Sequence, residues 1–315
     1  MSTMSLTTVT RTQGNNRALK AGEVTPKHFR LDFEEVPVLV NAFRRMVRGL
    51  EFDVTEMAIT TYMCARAYGK PFTALPIFLV RGFHHGAIAV NTNAGIRHPK
   101  DLEGRRVGVN RGYTVTTGVW ARGILHDEYG VDLDRITWVL SGDEHVAEYQ
   151  APANVVPMPS GANLTDLLIS GDLAAAIGVE TDHPDVARLI PDADDAGYNA
   201  LATRGHYPIN HLIVVKDELL AAHPDLAADL FGAFAESKNR YLAALRAGEI
   251  TPLTSTDVMN QRLMDITGAD PLPYGIEPNR LVIEELIGHA VSQHILDERP
   301  AVDELFAAGT TDLVA

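Results

Sequence analysis

Arg81, His84 and His85 stand within five residues of one another, in RGFHH, directly after the apolar run 75–80. Side chains that can carry positive charge, placed where a buried strand ends, are suited to holding a carboxylate. A guanidinium presents a planar fork that matches carboxylate geometry, and each charge-assisted hydrogen bond contributes about 1.5–3 kcal/mol. Alternation along an extended chain puts Arg81 and His85 ahead of His84. The plainer role for all three is surface contact where the chain leaves a domain. A second group, NRGYTVTTGVW at 110–120, follows a short apolar strand and opens a helix. Backbone N–H groups and the positive end of the helix dipole favour an anion there. Thr114, Thr116 and Thr117 can add hydroxyl donors, and Arg111 and Tyr113 are further contributors; simple helix capping by threonine is the alternative.

His206 and His211 lie in RGHYPINH. An imidazole with an unperturbed pKa of about 6.5 can donate and recover a proton near neutrality, so His211, like His85, is a candidate general acid. A core histidine settled against a backbone carbonyl is the competing role. Glu56 is a carboxylate inside the otherwise apolar strand of FDVTEMAITTY, where charge is rarely tolerated unpaired. It either pairs structurally or orients a histidine or a ligand hydroxyl. Glu34, Thr60 and His206 join the candidates, as does Tyr274 in the turn-rich DPLPYGIEPN.

Alternating β and α elements must position these residues. The periodicity predicts strands over 6–10, 29–36, 53–59 and 72–80, with helices over 37–49 and 62–68. An alternating strand follows over 86–91, and then a second α/β domain with strands over 105–110, 136–140 and 174–179 and helices over 114–129 and 164–170. A strand over 210–216 returns to the first domain, and helices over 224–246, 257–267 and 280–296 complete it. The final AAGTTDLVA reads as a loosely held tail. The expected division is 1–91 plus 208–315 for the first domain and 92–207 for the second. Such alternation implies mostly parallel sheets, whose ligands sit beyond the carboxyl ends of the strands, and a cleft between the domains is the expected ligand site.

The 315 residues carry a net charge of −14, which argues against a nucleic-acid partner. Cys64 is the single cysteine, so no internal disulfide forms. The opening MSTMSLTTVTRTQGNNRALK lacks the apolar core of an export signal, and no run reaches the roughly 18 apolar residues of a membrane span. The expectation is a cytoplasmic protein that takes a small aromatic carboxylate, with no membrane partner and with a homo-oligomer left open. GxSxG, dinucleotide and HExxH patterns are missing, and no cofactor is expected. The metal arrangement considered gathers His84, His85, His206 and His211 with Glu34 or Glu56; it has no helical ligand spacing behind it.

The order of apolar strand, RGFHH, GAIAVN and HPKDLEGRRVGVN resembles the type II periplasmic-binding-protein fold. A wider set of segments resembles the 4,5-dihydroxyphthalate decarboxylase family: LDFEEV (31–36), FDVTEMAITTY (52–62), RGFHH (81–85), HPKDLEGRRVGV (98–109), VWARGILHDEYGVDL (119–133), PINHLIVV (208–215) and DPLPYGIEPN (270–279). The resemblance implies two α/β domains and cofactor-free carboxy-lyase chemistry on a hydroxylated phthalate, giving protocatechuate and carbon dioxide. Under it, Arg81 and Arg111 or the helix amino terminus clamp the spectator carboxylate, His85 or His211 donates the proton, and Glu56 or Glu34 meets the ring hydroxyls. A non-catalytic solute-binding protein for an aromatic acid is the alternative use of the same fold.

Overall fold

The computed structural model describes residues 4–315. The chain divides into two compact units, one built from residues up to Arg81, Ile209–Glu284 and Pro300–Ala315, the other from Gly82–Pro208 and Glu285–Arg299. In the first unit β1 (Met4–Val9), α1 (Arg17–Lys20), β2 (Phe29–Phe33), α2 (Leu39–Gly49), β3 (Val54–Ala58), α3 (Ile59–Ala67) and β4 (Phe72–Arg81) alternate. The second unit contains β5 (Ile88–Asn91), β6 (Arg106–Val109), α4 (Thr116–Tyr129), β7 (Thr137–Leu140), β8 (Val155–Pro157), α5 (Leu164–Ser170), β9 (Ala175–Ile177), β10 (Val186–Arg188) and α6 (Ala193–Arg204). The chain returns to the first unit through β11 (Ile209–Lys216), α7 (Asp217–Ala222), α8 (Leu226–Arg246) and α9 (Ser255–Thr267). It ends its helices with α10 (Arg280–Ser292), whose residues from Glu285 belong to the second unit.

The first sheet has the order β2-β1-β3-β11-β4. β1 runs parallel to β2 and β3, whereas β11 is antiparallel to both β3 and β4. Every residue of β3 is buried, as are Leu212–Val215 of β11, because helices cover both faces of a central strand and select near-continuous apolar runs. That burial is what makes Glu56, in the middle of β3, exceptional.

The second sheet has the order β10-β5-β9-β6-β7-β8, with β6 parallel to β7 and β9 and with β5 antiparallel to β9 and β10. Both sheets are therefore more mixed than the alternation implied, since a strand returning from another unit has no need of a helical crossover. Two elements absent from the sequence reading, β8 and β10, are three residues long, too short to show a period. The unanticipated α6 carries Gly197 at its middle, where a Cβ would lie 2.6 Å from the Phe83 ring; close packing there takes precedence over helix propensity.

The units change at Arg81/Gly82 and Pro208/Ile209 rather than at 91/92 and 207/208, and 285–299 joins the second unit instead of completing the first. Gln293 explains the latter. It accepts from Arg122 Nε at 2.8 Å and donates to the Val119 carbonyl at 3.0 Å, tying this segment to α4. The carboxyl-terminal tail is not loose: Tyr274 and Ala315 exchange backbone hydrogen bonds at 2.7 and 3.3 Å, and Gly275, at φ +105°, packs against the Leu313 carbonyl. Among the described residues no helix is long and apolar enough to cross a membrane.

Gly108 of β6 faces the cluster of Leu164, Leu168, Leu173 and Ala176, and a Cβ there would lie 2.5 Å from Leu164 and 2.9 Å from Leu173. Gly108→Ala should therefore destabilise the second unit by about 1–3 kcal/mol through overpacking. A lowered urea midpoint is the expected result, and an unchanged one would contradict the packing described.

Candidate functional site

In the first unit, pairing of β11 with β3 sets Ile213 opposite Glu56 and His211 opposite Ala58. Glu56 is 0% exposed. A carboxylate removed from water this completely needs charge-assisted hydrogen bonds. It has two: Oε1 lies 2.7 Å from His211 Nδ1, and Oε2 accepts the Arg11 backbone N–H at 2.9 Å. With Nδ1 donating to the carboxylate, Nε2 becomes the nitrogen that exchanges protons. Nε2 has no hydrogen-bond partner among the described residues, and the His211 side chain retains 15% exposure. Phe43 meets the ring edge-on with centroids 5.2 Å apart, fixing its plane. A buried carboxylate behind an imidazole whose far nitrogen reaches solvent is an arrangement for delivering a proton.

Arg81, at the end of β4 in the same unit, is 7% exposed. It donates through Nη2 to Asn279 Oδ1, and its guanidinium lies 5.5 Å from the Phe78 ring. Asn279 in turn donates to the carbonyls of Pro273 at 3.0 Å and Gly275 at 2.7 Å, so one amide secures both the arginine and the 273–275 turn. Tyr274 in that turn is fully buried. Its hydroxyl has no partner among the described residues, and Lys238 Nζ, paired with Asp270, sits 4.8 Å from the centre of its ring. Burial pushes the Tyr274 pKa up, with Asp270 adding to the effect and Arg81 opposing it, so the phenol keeps its proton. Thr60 is buried in the first turn of α3, whose N-cap Ala58 supplies no side-chain acceptor. Glu34 faces elsewhere: its carboxylate pairs with Arg45 Nη1 at 2.9 Å, and Arg45 also holds Glu51.

The second unit separates residues that the sequence grouped. His84 is buried as the N-cap of a short 3-10 turn over His85–Ala87. His85, 0% exposed, directs Nε2 to both oxygens of Glu128 at 3.0 and 3.1 Å. His206 directs Nδ1 to both oxygens of Glu285 at 2.9 and 3.0 Å, and the two imidazoles meet edge to face at 6.0 Å. Arg204 links the two carboxylates by pairing with Glu128 and Glu285. Burial raises the Glu128 pKa, but the hydrogen bond from His85 and the nearby charges outweigh it, and the net shift is downward. This network lies at the carboxyl end of α4. Thr116 is at the other end, and twelve residues at 1.5 Å each separate Thr116 from Glu128 by about 18 Å. His85 and His206 therefore do not share a ligand with the start of α4.

That start is already filled. Tyr113 N–H and Thr114 N–H donate to the two oxygens of Glu144, the latter at 3.2 Å, and the Thr114 hydroxyl donates to it at 2.6 Å. The expected anion is thus supplied by the chain's own carboxylate. Beneath it, the buried Arg122 stacks 3.8 Å from the centre of the Tyr113 ring and donates to the Tyr113 carbonyl at 2.6 Å. Thr116 is buried and Thr117 half-buried, while Arg111 is exposed at φ +74° with its N–H on Ser141 Oγ. Glu144, Glu128 and Arg122 escaped sequence reasoning. For Glu144 a signal existed, because SGDEH follows the carboxyl end of β7, the parallel neighbour of β6.

The metal arrangement considered from the sequence is not assembled, since Glu56 takes His211 and Glu128 takes His85. Among the described residues, the ligand atoms that do converge belong to Asp127, Glu285 and His289. Asp127 faces His289 Nδ1 at 4.0 Å and Glu285 faces Nε2 at 3.9 Å. Carboxylates on opposite nitrogens of one ring bracket the imidazole; a single ion could use only one of those nitrogens.

No known family model matches the chain. Its backbone is similar to that of the periplasmic aliphatic sulphonate binding protein SsuA from Escherichia coli, with a TM-score of 0.55 at 12% identity, covering 99% of this chain and 100% of that one. The fold is thus of the type II periplasmic-binding-protein class. In sequence, the chain is 30% identical over 283 residues to the 4,5-dihydroxyphthalate decarboxylase of Comamonas testosteroni, covering 84% of each. It is 32% identical over 177 residues to the protein of that name from Pseudomonas putida, covering 51% of this chain and 68% of that one. It belongs to the 4,5-dihydroxyphthalate decarboxylase family.

Two outcomes follow from this geometry. Glu144→Ala should expose the donors at the start of α4, so that benzoate or sulfate raises the melting temperature of the variant more than that of the parent; equal shifts would show that these donors hold no external anion. Burial holds the His289 pKa below its ordinary value, with Asp127 and Glu285 opposing. The unfolded chain then takes up this proton first as pH falls below about 6.5, so the contribution of neutral His289 is full above that pH and is lost as pH falls towards the folded value. Unfolding free energy measured from pH 7 to 5 should decline, with a smaller slope in His289→Gln.

Proposed function

We propose that the chain is a carboxy-lyase that acts on a hydroxylated aromatic acid, 4,5-dihydroxyphthalate foremost, with His211 as the proton donor. The observation that carries this reading is the Glu56–His211 pair, with Nδ1 on a buried carboxylate and Nε2 in contact with solvent. The names of its relatives support the choice of substrate.

In that substrate each carboxylate lies para to a hydroxyl. A proton delivered to the ring carbon that bears the carboxylate leaves a cation stabilised by the para oxygen. The carbon–carboxyl bond then breaks, its electron pair restores the ring, and carbon dioxide departs, so the reaction needs no electron-sink cofactor. Glu56 accepts the hydrogen bond from His211 Nδ1 and so keeps the ring aligned with Nε2 directed outward. Arg81, braced by Asn279, supplies positive charge for the carboxylate that stays. The reacting carboxylate gains from weaker cationic surroundings, because holding its charge opposes the loss of carbon dioxide. His84, Arg111, Thr116 and Thr117 are further binding candidates, whereas His85 and His206 serve the buried network. A cytoplasmic setting is part of the proposal.

Binding without turnover is a second reading, favoured by the fold shared with a sulphonate-binding protein. Purified protein should convert 4,5-dihydroxyphthalate to protocatechuate and carbon dioxide, and in deuterated water should place one deuteron where the carboxyl was lost. His211→Asn should lower kcat by about 10²–10⁴-fold with binding retained. Tight binding of hydroxylated benzoates with no release of carbon dioxide would overturn the reading.

A further inference from the structure

Apart from the Glu56–His211 pair, the first unit holds a cavity of about 510 Å³ between the segment 11–18 and the helices α8 and α9. This volume falls within the range of small-ligand sites. Arg11, Arg17 and Arg240 line it, a concentration of positive charge unexpected in a chain of net charge −14. Arg11 and Arg17 place their guanidinium groups in no hydrogen bond or ion pair among the described residues; Arg240 pairs with Glu236. Gln13 Nε2, on the same wall, is buried without a partner among the described residues.

Two carboxylates border the cavity, and one of them is spent. Asp257 accepts from the Tyr241 hydroxyl at 2.6 Å through Oδ1, and from Thr254 N–H at 2.8 Å and Oγ1 at 2.7 Å through Oδ2. Glu23 is exposed at the rim. Donors thus outnumber acceptors. The remaining wall is apolar, formed by Ala18, Ala244, Ile250 and the ring of Tyr241.

We infer that this cavity binds a small organic anion, its oxyanion held by Arg11, Arg17 and the Gln13 amide and its apolar body set against Tyr241 and Ile250. Binding there does not require the Glu56–His211 pair to be catalytic. The two places are nonetheless joined, since the Arg11 N–H that completes the shell of Glu56 belongs to the residue whose side chain lines the cavity.

The test is a titration of the full chain with phthalate, and in a parallel arm with inorganic phosphate, followed by calorimetry and by the NMR signals of the Gln13 amide and arginine Nε–H groups. Phthalate should shift these signals to saturation. Arg17→Gln should weaken that binding at least tenfold, as expected when one charge-assisted hydrogen bond is removed. Ala244→Leu, which fills the cavity without altering charge, should weaken it likewise. Unmoved signals in the folded protein, or full affinity in both variants, would overturn the site, and an equal response to phosphate would overturn the organic body of the ligand.

Discussion

The proton donor proposed for the first unit depends on one buried charge. Glu56 sits in a central strand with no access to water, and the unsatisfied desolvation of a carboxylate amounts to several kcal/mol. The sheet supplies the compensation from two sides: β11 brings His211 across in register, and the chain beyond β1 turns so that the Arg11 amide points inward. Removing either partner would leave a charge without support. The same requirement that keeps the sheet in register therefore fixes the tautomer and direction of the imidazole.

The second unit resolves its buried charges differently. His85, His206 and His289 gather with Glu128, Glu285, Asp127 and Arg204 around Trp120, whose ring meets His206 and His289 edge to face at 5.4 and 5.5 Å. These groups fasten 285–299 to α4. At the opposite end of that helix Glu144 satisfies the exposed donors. A helix with both ends served by internal carboxylates is a structural member first, and any ligand at its amino terminus has to compete with a covalently tethered rival.

Much of this was legible in the residues. The alternation of apolar runs and turn signals located all four strands of the first 81 residues; Glu56 stood out because a charged group interrupts an apolar strand, and His211 because an imidazole exchanges a proton near neutrality. Their pairing was not legible, because it follows from β11 returning antiparallel beside β3, which brings together residues 155 positions apart. RGFHH misled for a related reason. Adjacent residues suggested one cluster, but Gly82 ends the strand and the 3-10 turn at His85 sends that side chain towards Glu128, 43 positions on. The arginines of the 510 Å³ cavity gave no signal at all, since nothing in the sequence brings segment 11–18 against α8.

The exchange of backbone hydrogen bonds between Tyr274 and Ala315 carries a practical consequence. The turn it braces presents Asn279, and Asn279 steadies Arg81. An affinity tag fused after Ala315, or trimming of the last few residues by a protease, acts on the support of an arginine more than 230 positions earlier. Comparisons of preparations should therefore include an intact-mass check of this end.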